Sequence, residues 1–147
     1  MFVLPRLTLD TNILVSSLIT EGTPPDLLYR AWKDERFFLV TSKEQLAELT
    51  RVFAYPKLRP YVKPIEAKEL LAGLEAHAIV VGDLPIVHYS PDPADNLILA
   101  TSIKGQATFL VTGDKKDLLS LKEIDGVSII TARAALEILD TTPFGSE

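Results

Sequence analysis

The chain has 147 residues and a mass of 16.2 kDa, the size of one domain able to bury roughly 70% of the surface its unfolded form exposes. Hydrophobic residues at 47% and charged residues at 24% exclude a disordered polymer, and the lack of cysteine excludes disulfides, thiolate metal sites and a cysteine nucleophile. Fifteen Lys and Arg against 20 Asp and Glu give a net charge of −5, so nucleic acid would not be held by bulk charge alone and would need the help of a bound cation or a second subunit.

No apolar run exceeds four residues, whereas a membrane-spanning helix needs about 20. No basic segment followed by an apolar stretch stands at the N-terminus, so a secretory signal is not expected and the cytoplasm is the expected compartment. Without a linker, repeat or low-complexity tract, residues 1–140 read as a single domain and 141–147 as a tail.

In chain order, Leu4-Leu9 is a short apolar strand that ends at the capping residues Asp10-Thr11-Asn12, and the apolar run Ile13-Ile19 follows as a helix. Thr23-Pro24-Pro25-Asp26 opens a second helix with Leu27, Leu28, Ala31 and Trp32 at helical spacing. Phe37-Val40 is the second strand. Ser42 then caps a helix to about Ala54, with Gln45 placed for a capping box. Leu58-Val62 suits a turn of helix, and Pro64 starts another through Leu74. Ala78-Val81 is the third strand, with Ile86-Val87 as a continuation. Ser90-Pro91-Asp92-Pro93 starts a helix through Thr101, Ala107-Val111 is the fourth strand, Asp117-Leu121 a helical turn, Val127-Ile130 the fifth strand and Ala132-Leu139 the last helix. Strands that are continuously apolar and alternate with helices are buried on both faces, which predicts a parallel sheet in a three-layer α/β/α sandwich.

In such a sheet, ligands bind beyond the carboxyl ends of the strands. Asp10 follows strand one and Asp114 follows strand four; if those strands are neighbours, both carboxylates face one mouth. Asp92 and Asp95 open the helix leading into strand four, and Asp117 lies three residues past Asp114. Crowded carboxylates repel unless a cation sits among them. Oxygen-only donors suit Mg²⁺ or Mn²⁺, which act on phosphate esters. Each acid also has a structural reading: Asp10 and Asp92 as helix caps, Asp95 as a favourable first-turn charge, Asp114 as a turn residue and Glu48 as a solvated helical residue. Lys115-Lys116 would either touch a phosphate or remain a solvated pair, and His77 and His88 are too unrelated in position to form a metal pair.

The segments Leu9-Asp10-Thr11-Asn12-Ile13-Leu14-Val15-Ser16, Glu48, Asp92-Pro93-Ala94-Asp95-Asn96 and Val111-Thr112-Gly113-Asp114-Lys115-Lys116-Asp117-Leu118 together resemble the PIN-domain ribonucleases. The likeness is closest to the VapC-type toxins of bacterial toxin–antitoxin pairs. It implies a parallel five-stranded sheet in the order 3-2-1-4-5, with Asp10, Glu48, Asp95 and Asp114 as catalytic and metal-holding acids. It also implies Asp117 as an extra metal ligand and Asn12, Thr112 and Asp92 in support. The implied activity is hydrolysis of single-stranded RNA with one or two Mg²⁺ or Mn²⁺ ions, leaving 5′-phosphate and 3′-hydroxyl ends. The implied partners are a second copy of the chain and a small antitoxin protein. A non-catalytic module binding RNA or protein is the alternative. A receiver domain is disfavoured because Asp10 is followed by Thr11-Asn12 rather than a second acid, and a haloacid-dehalogenase-type phosphatase because Asn12 stands where it needs Asp.

Overall fold

A computed structural model of the chain describes residues 3–113 and 115–141. The expected tail therefore lies outside the described residues apart from Thr141, the last residue of the final helix. The strands are β1 (Arg6–Leu9), β2 (Phe38–Ser42), β3 (Ile79–Val81), β4 (Phe109–Thr112), β5 (Glu123–Ile124) and β6 (Val127–Thr131). The helices are α1 (Thr11–Ser16), α2 (Pro24–Lys33), α3 (Lys43–Phe53), α4 (Pro64–His77), α5 (Pro93–Lys104), α6 (Lys116–Leu119) and α7 (Ala132–Thr141). Proline at the first turn of α2, α4 and α5 fits positions where the backbone N–H has no helical partner. Among the described residues, no helix is long and apolar enough to cross a membrane.

The strands form one sheet in the order β3-β2-β1-β4-β6-β5. Every pairing is parallel except β5 with β6. The expected order 3-2-1-4-5 thus reappears as β3-β2-β1-β4-β6, and β5 is an addition outside it. Its cause is local: Asp125 (φ 51°) and Gly126 (φ 84°) both take left-handed backbone between Ile124 and Val127, the requirement of a two-residue type I′ hairpin turn.

β1 lies at the centre, with Leu7 opposite Leu39 of β2 and Phe109 of β4, and Leu9 opposite Val111. Side chains alternate across a strand, so Leu7, Leu9, Leu39 and Val111 share one face and pack with α1, α2, α3, α4 and α7. Leu110 and Ile129 point to the other face and pack with Ile98 and Leu99 of α5 and Leu118 of α6. These two cores make the three layers. At the end of α5, a Cβ on Gly105 would stand 2.3 Å from a methyl of Val40, so only glycine lets the helix end lie this close to β2.

Three local expectations need correction. Ile86 and Val87 do not extend β3, because the chain turns at Asp83 (φ 52°) and leaves Ile86 exposed. The helical turn expected at Leu58-Val62 is present, with the Tyr61 and Val62 N–H groups donating to the Leu58 carbonyl, but the winding starts earlier, as a 3₁₀ turn at Pro56–Leu58 begun by its proline. The capping box at α3 is half-formed. Ser42 Oγ accepts from the Gln45 N–H, but the Gln45 side chain turns to the sheet, donating to the Leu9 carbonyl (2.8 Å) and accepting from Thr41 Oγ1 (2.6 Å).

Candidate active site

The carboxyl edge of the sheet brings the ends of β1 and β4 together: the Asp10 N–H donates to the Val111 carbonyl at 3.0 Å. Asp10 is buried there and caps α1, with Oδ1 accepting from the Ile13 N–H (2.9 Å) and Oδ2 from the Thr112 hydroxyl (2.5 Å). The carboxylate is therefore oriented from α1 on one side and β4 on the other. Burial, chiefly, raises its pKa above the ordinary 3.8, while the Thr112 and Ile13 hydrogen bonds and the charge of Lys115 pull the other way.

Asp95, in the first turn of α5, is 2% exposed. Its Oδ2 accepts from the Ser90 hydroxyl (2.9 Å), and its Oδ1 lies 2.5 Å from Lys115 Nζ. The same ammonium lies 3.2 Å from Asp92, the N-cap residue of α5. The bond to Asp95 is the main reason the Lys115 pKa is raised, so the side chain stays protonated. Asp92 is held below its ordinary value, first by the Ala94 N–H and then by Lys115. Glu48 of α3 is half-buried and accepts from the Thr11 hydroxyl at 2.6 Å.

Asp10, Glu48 and Asp95 line one cavity of about 70 Å³ together with Thr11, Asn12, Ala94, Ile98, Lys115 and Leu118. Three of the expected acids and Asn12 thus converge, while Thr112 and Asp92 each touch a residue lining the cavity. Asp117 is exposed on α6 and is not part of this lining. Asp114 lies outside the described residues. Among the described residues, no three Asp, Glu or His side chains stand close enough to form a ligand set by themselves.

Comparison with known protein families matches residues 6–116 to the PIN domain. The chain belongs to the PIN domain family. PIN domains are generally nucleases that typically use divalent metals, so this chain carries a nuclease-type fold. No curated protein matches it.

In this PIN domain, the side chains that hold the acids were harder to read from sequence than the acids themselves. Ser90 reads in the sequence only as part of a helix start, yet its hydroxyl holds Asp95, five residues on. Thr11 has the composition and place of a capping residue, yet its hydroxyl fixes Glu48. Lys115, which the sequence allows either a phosphate contact or a solvated pair, lies against two carboxylates. The available signal was its position immediately after Asp114 at the carboxyl end of a central strand.

Proposed function

We propose that the chain is a metal-dependent endoribonuclease that hydrolyses phosphodiester bonds of single-stranded RNA, and that it serves as the toxin of a toxin–antitoxin pair. The observation that carries this reading is the convergence of Asp10, Glu48 and Asp95 on one small cavity at the carboxyl end of the parallel sheet. The carboxylates that line the cavity offer only oxygen donors, the chemistry that suits Mg²⁺ or Mn²⁺. Asp114 and Asp117 are assigned to the same set from their places in the sequence alone. A second copy of the chain and a small antitoxin complete the proposed partners.

When bound, the metal supplies charge stabilisation at the scissile phosphate and lowers the pKa of an attacking water. The chain's own residues do the rest. Thr112 and the Ile13 N–H fix the Asp10 carboxylate, Thr11 fixes Glu48, and Ser90 fixes Asp95. Groups held by such bonds before substrate arrives need little reorganisation during the reaction. The Lys115 ammonium, whose charge Asp95 and Asp92 favour, lines the cavity and is the group that would contact a substrate phosphate oxygen.

The test is cleavage of a mixed single-stranded RNA in Mn²⁺ by the purified chain, beside Asp10→Asn and a chelator control. Cleavage should appear in the wild type alone and fall by about 100-fold or more in the variant, the scale on which losing one transition-state-stabilising group acts. Unchanged cleavage in Asp10→Asn would overturn the assignment of the site. RNA binding without any cleavage by the wild type would replace the enzyme with a binding module.

A further inference from the structure

The net charge of −5 conceals a strong segregation. Residues 49–65 hold four of the chain's fifteen Lys and Arg (Arg51, Lys57, Arg59 and Lys63) and none of its twenty Asp and Glu. This stretch covers the end of α3, the 3₁₀ turn Pro56–Leu58 and the start of α4. All four cations are exposed, and none enters an ion pair among the described residues. Between them stand two exposed rings, Tyr55 at 42% and Tyr61 at 62% exposure. Lys57 Nζ lies 5.9 Å from the centre of the Tyr55 ring.

We infer that this arm is the surface that receives single-stranded RNA and feeds it to the cavity. The inference rests on the reading of the cavity as an RNA-cleaving site and adds where the strand is held. Unpaired cations interleaved with exposed rings are the elements by which single strands are bound without regard to sequence: cations follow the phosphates, and bases stack on the rings. A carboxylate-lined cavity repels a polyanion, so a chain of this net charge needs a separate cationic track leading to it.

The arm has the right placement for that track. Glu48 in the cavity wall and Phe53 at the end of α3 are five residues apart on one helix, roughly 8 Å of axis. Pro56, Pro60 and Pro64 restrict the backbone through the arm. Leu58 packs against the main core and Val62 is buried. The rings and cations are therefore displayed from an anchored segment, which lowers the ordering cost of binding.

The experiment measures binding of a fluorescent mixed-sequence 20-nucleotide RNA in chelator, where no cleavage intervenes, across a salt series. Three proteins are compared: the wild type, the fourfold variant Arg51→Gln/Lys57→Gln/Arg59→Gln/Lys63→Gln, and Tyr55→Ala/Tyr61→Ala. All the altered side chains are exposed, and melting curves verify folding. The fourfold variant should bind more weakly and lose about 0.7 of log–log salt slope for each phosphate contact removed. The tyrosine variant should keep the wild-type slope and weaken about 5-fold or more per ring.

Wild-type slope and affinity in both variants would overturn the proposal. So would failure of the wild type to bind RNA, and binding of poly-glutamate instead would reassign the arm to an acidic polypeptide. The catalytic reading stands or falls separately. RNA cleavage that depends on Asp10 while the arm variants bind normally would sink only the arm. Arm-dependent RNA binding with no cleavage by the wild type would sink only the catalytic assignment.

Discussion

Asp10 sits where an isolated protein would be more stable without a charge. Its folded pKa is raised above 3.8 mainly by burial, so the charged form is disfavoured in the folded state relative to the unfolded one. The contribution of this group to stability is therefore fully present below the unfolded pKa and is lost as pH rises through the folded value. Asp10→Asn keeps an oxygen to accept the Ile13 N–H and removes the buried charge. In chelator, the variant should melt higher than the wild type at pH 7, with the difference shrinking towards pH 4. A variant that melts lower at pH 7 would show that the two hydrogen bonds outweigh burial. Thr8, at the middle of β1, offers a second test: it is fully buried and its hydroxyl has no hydrogen-bond partner among the described residues. Thr8→Val keeps the shape and removes the stranded hydroxyl, and should stabilise by about 1 kcal/mol in urea titrations. Destabilisation of that size would mean the hydroxyl has a partner after all.

Helix α5 carries Asp95 at its first turn and is pinned to the sheet at its other end by the contact of Gly105 with Val40. Gly105→Ala should destabilise by about 1–3 kcal/mol, the usual effect of overfilling a packed site. Val40→Ala in the same chain should recover part of that loss, and simple additivity in the double-mutant cycle would exclude the contact as the cause. The elements were largely legible because their signals are local. Prolines mark the starts of α2, α4 and α5, and Ser42 and Asp92 mark the caps of α3 and α5. β5 has a single sequence signal, the hairpin-type Asp125-Gly126 between Ile124 and Val127. Two residues of strand are simply too few to show a period. Glu48 was illegible from its helix, since it stands off the apolar face. What gives it meaning is the hydroxyl of Thr11, 37 residues away in sequence. Gln45 likewise has the spacing of a capping box, but its amide is taken by the Leu9 carbonyl, 36 residues away. Local pattern names an element and its cap, and only topology reveals which distant side chain completes a site.

Across the whole molecule, two cores press on a sheet whose middle strand is β1. The amides of Leu9 and Asp10 should therefore exchange with solvent only through global unfolding. Residues 83–89, which contain no strand or helix, should exchange faster by at least about a thousandfold. Comparable rates in the two segments, read by hydrogen–deuterium exchange, would show that the site edge opens locally. The sheet that supports the site also has two unlike margins: the three residues of β3 on one side and the two of β5 on the other. A strand arriving from another molecule would find only a short row of free backbone groups at either margin. The sheet therefore offers little template for growth by strand pairing, and two copies of this chain that associate must meet through helices and loops.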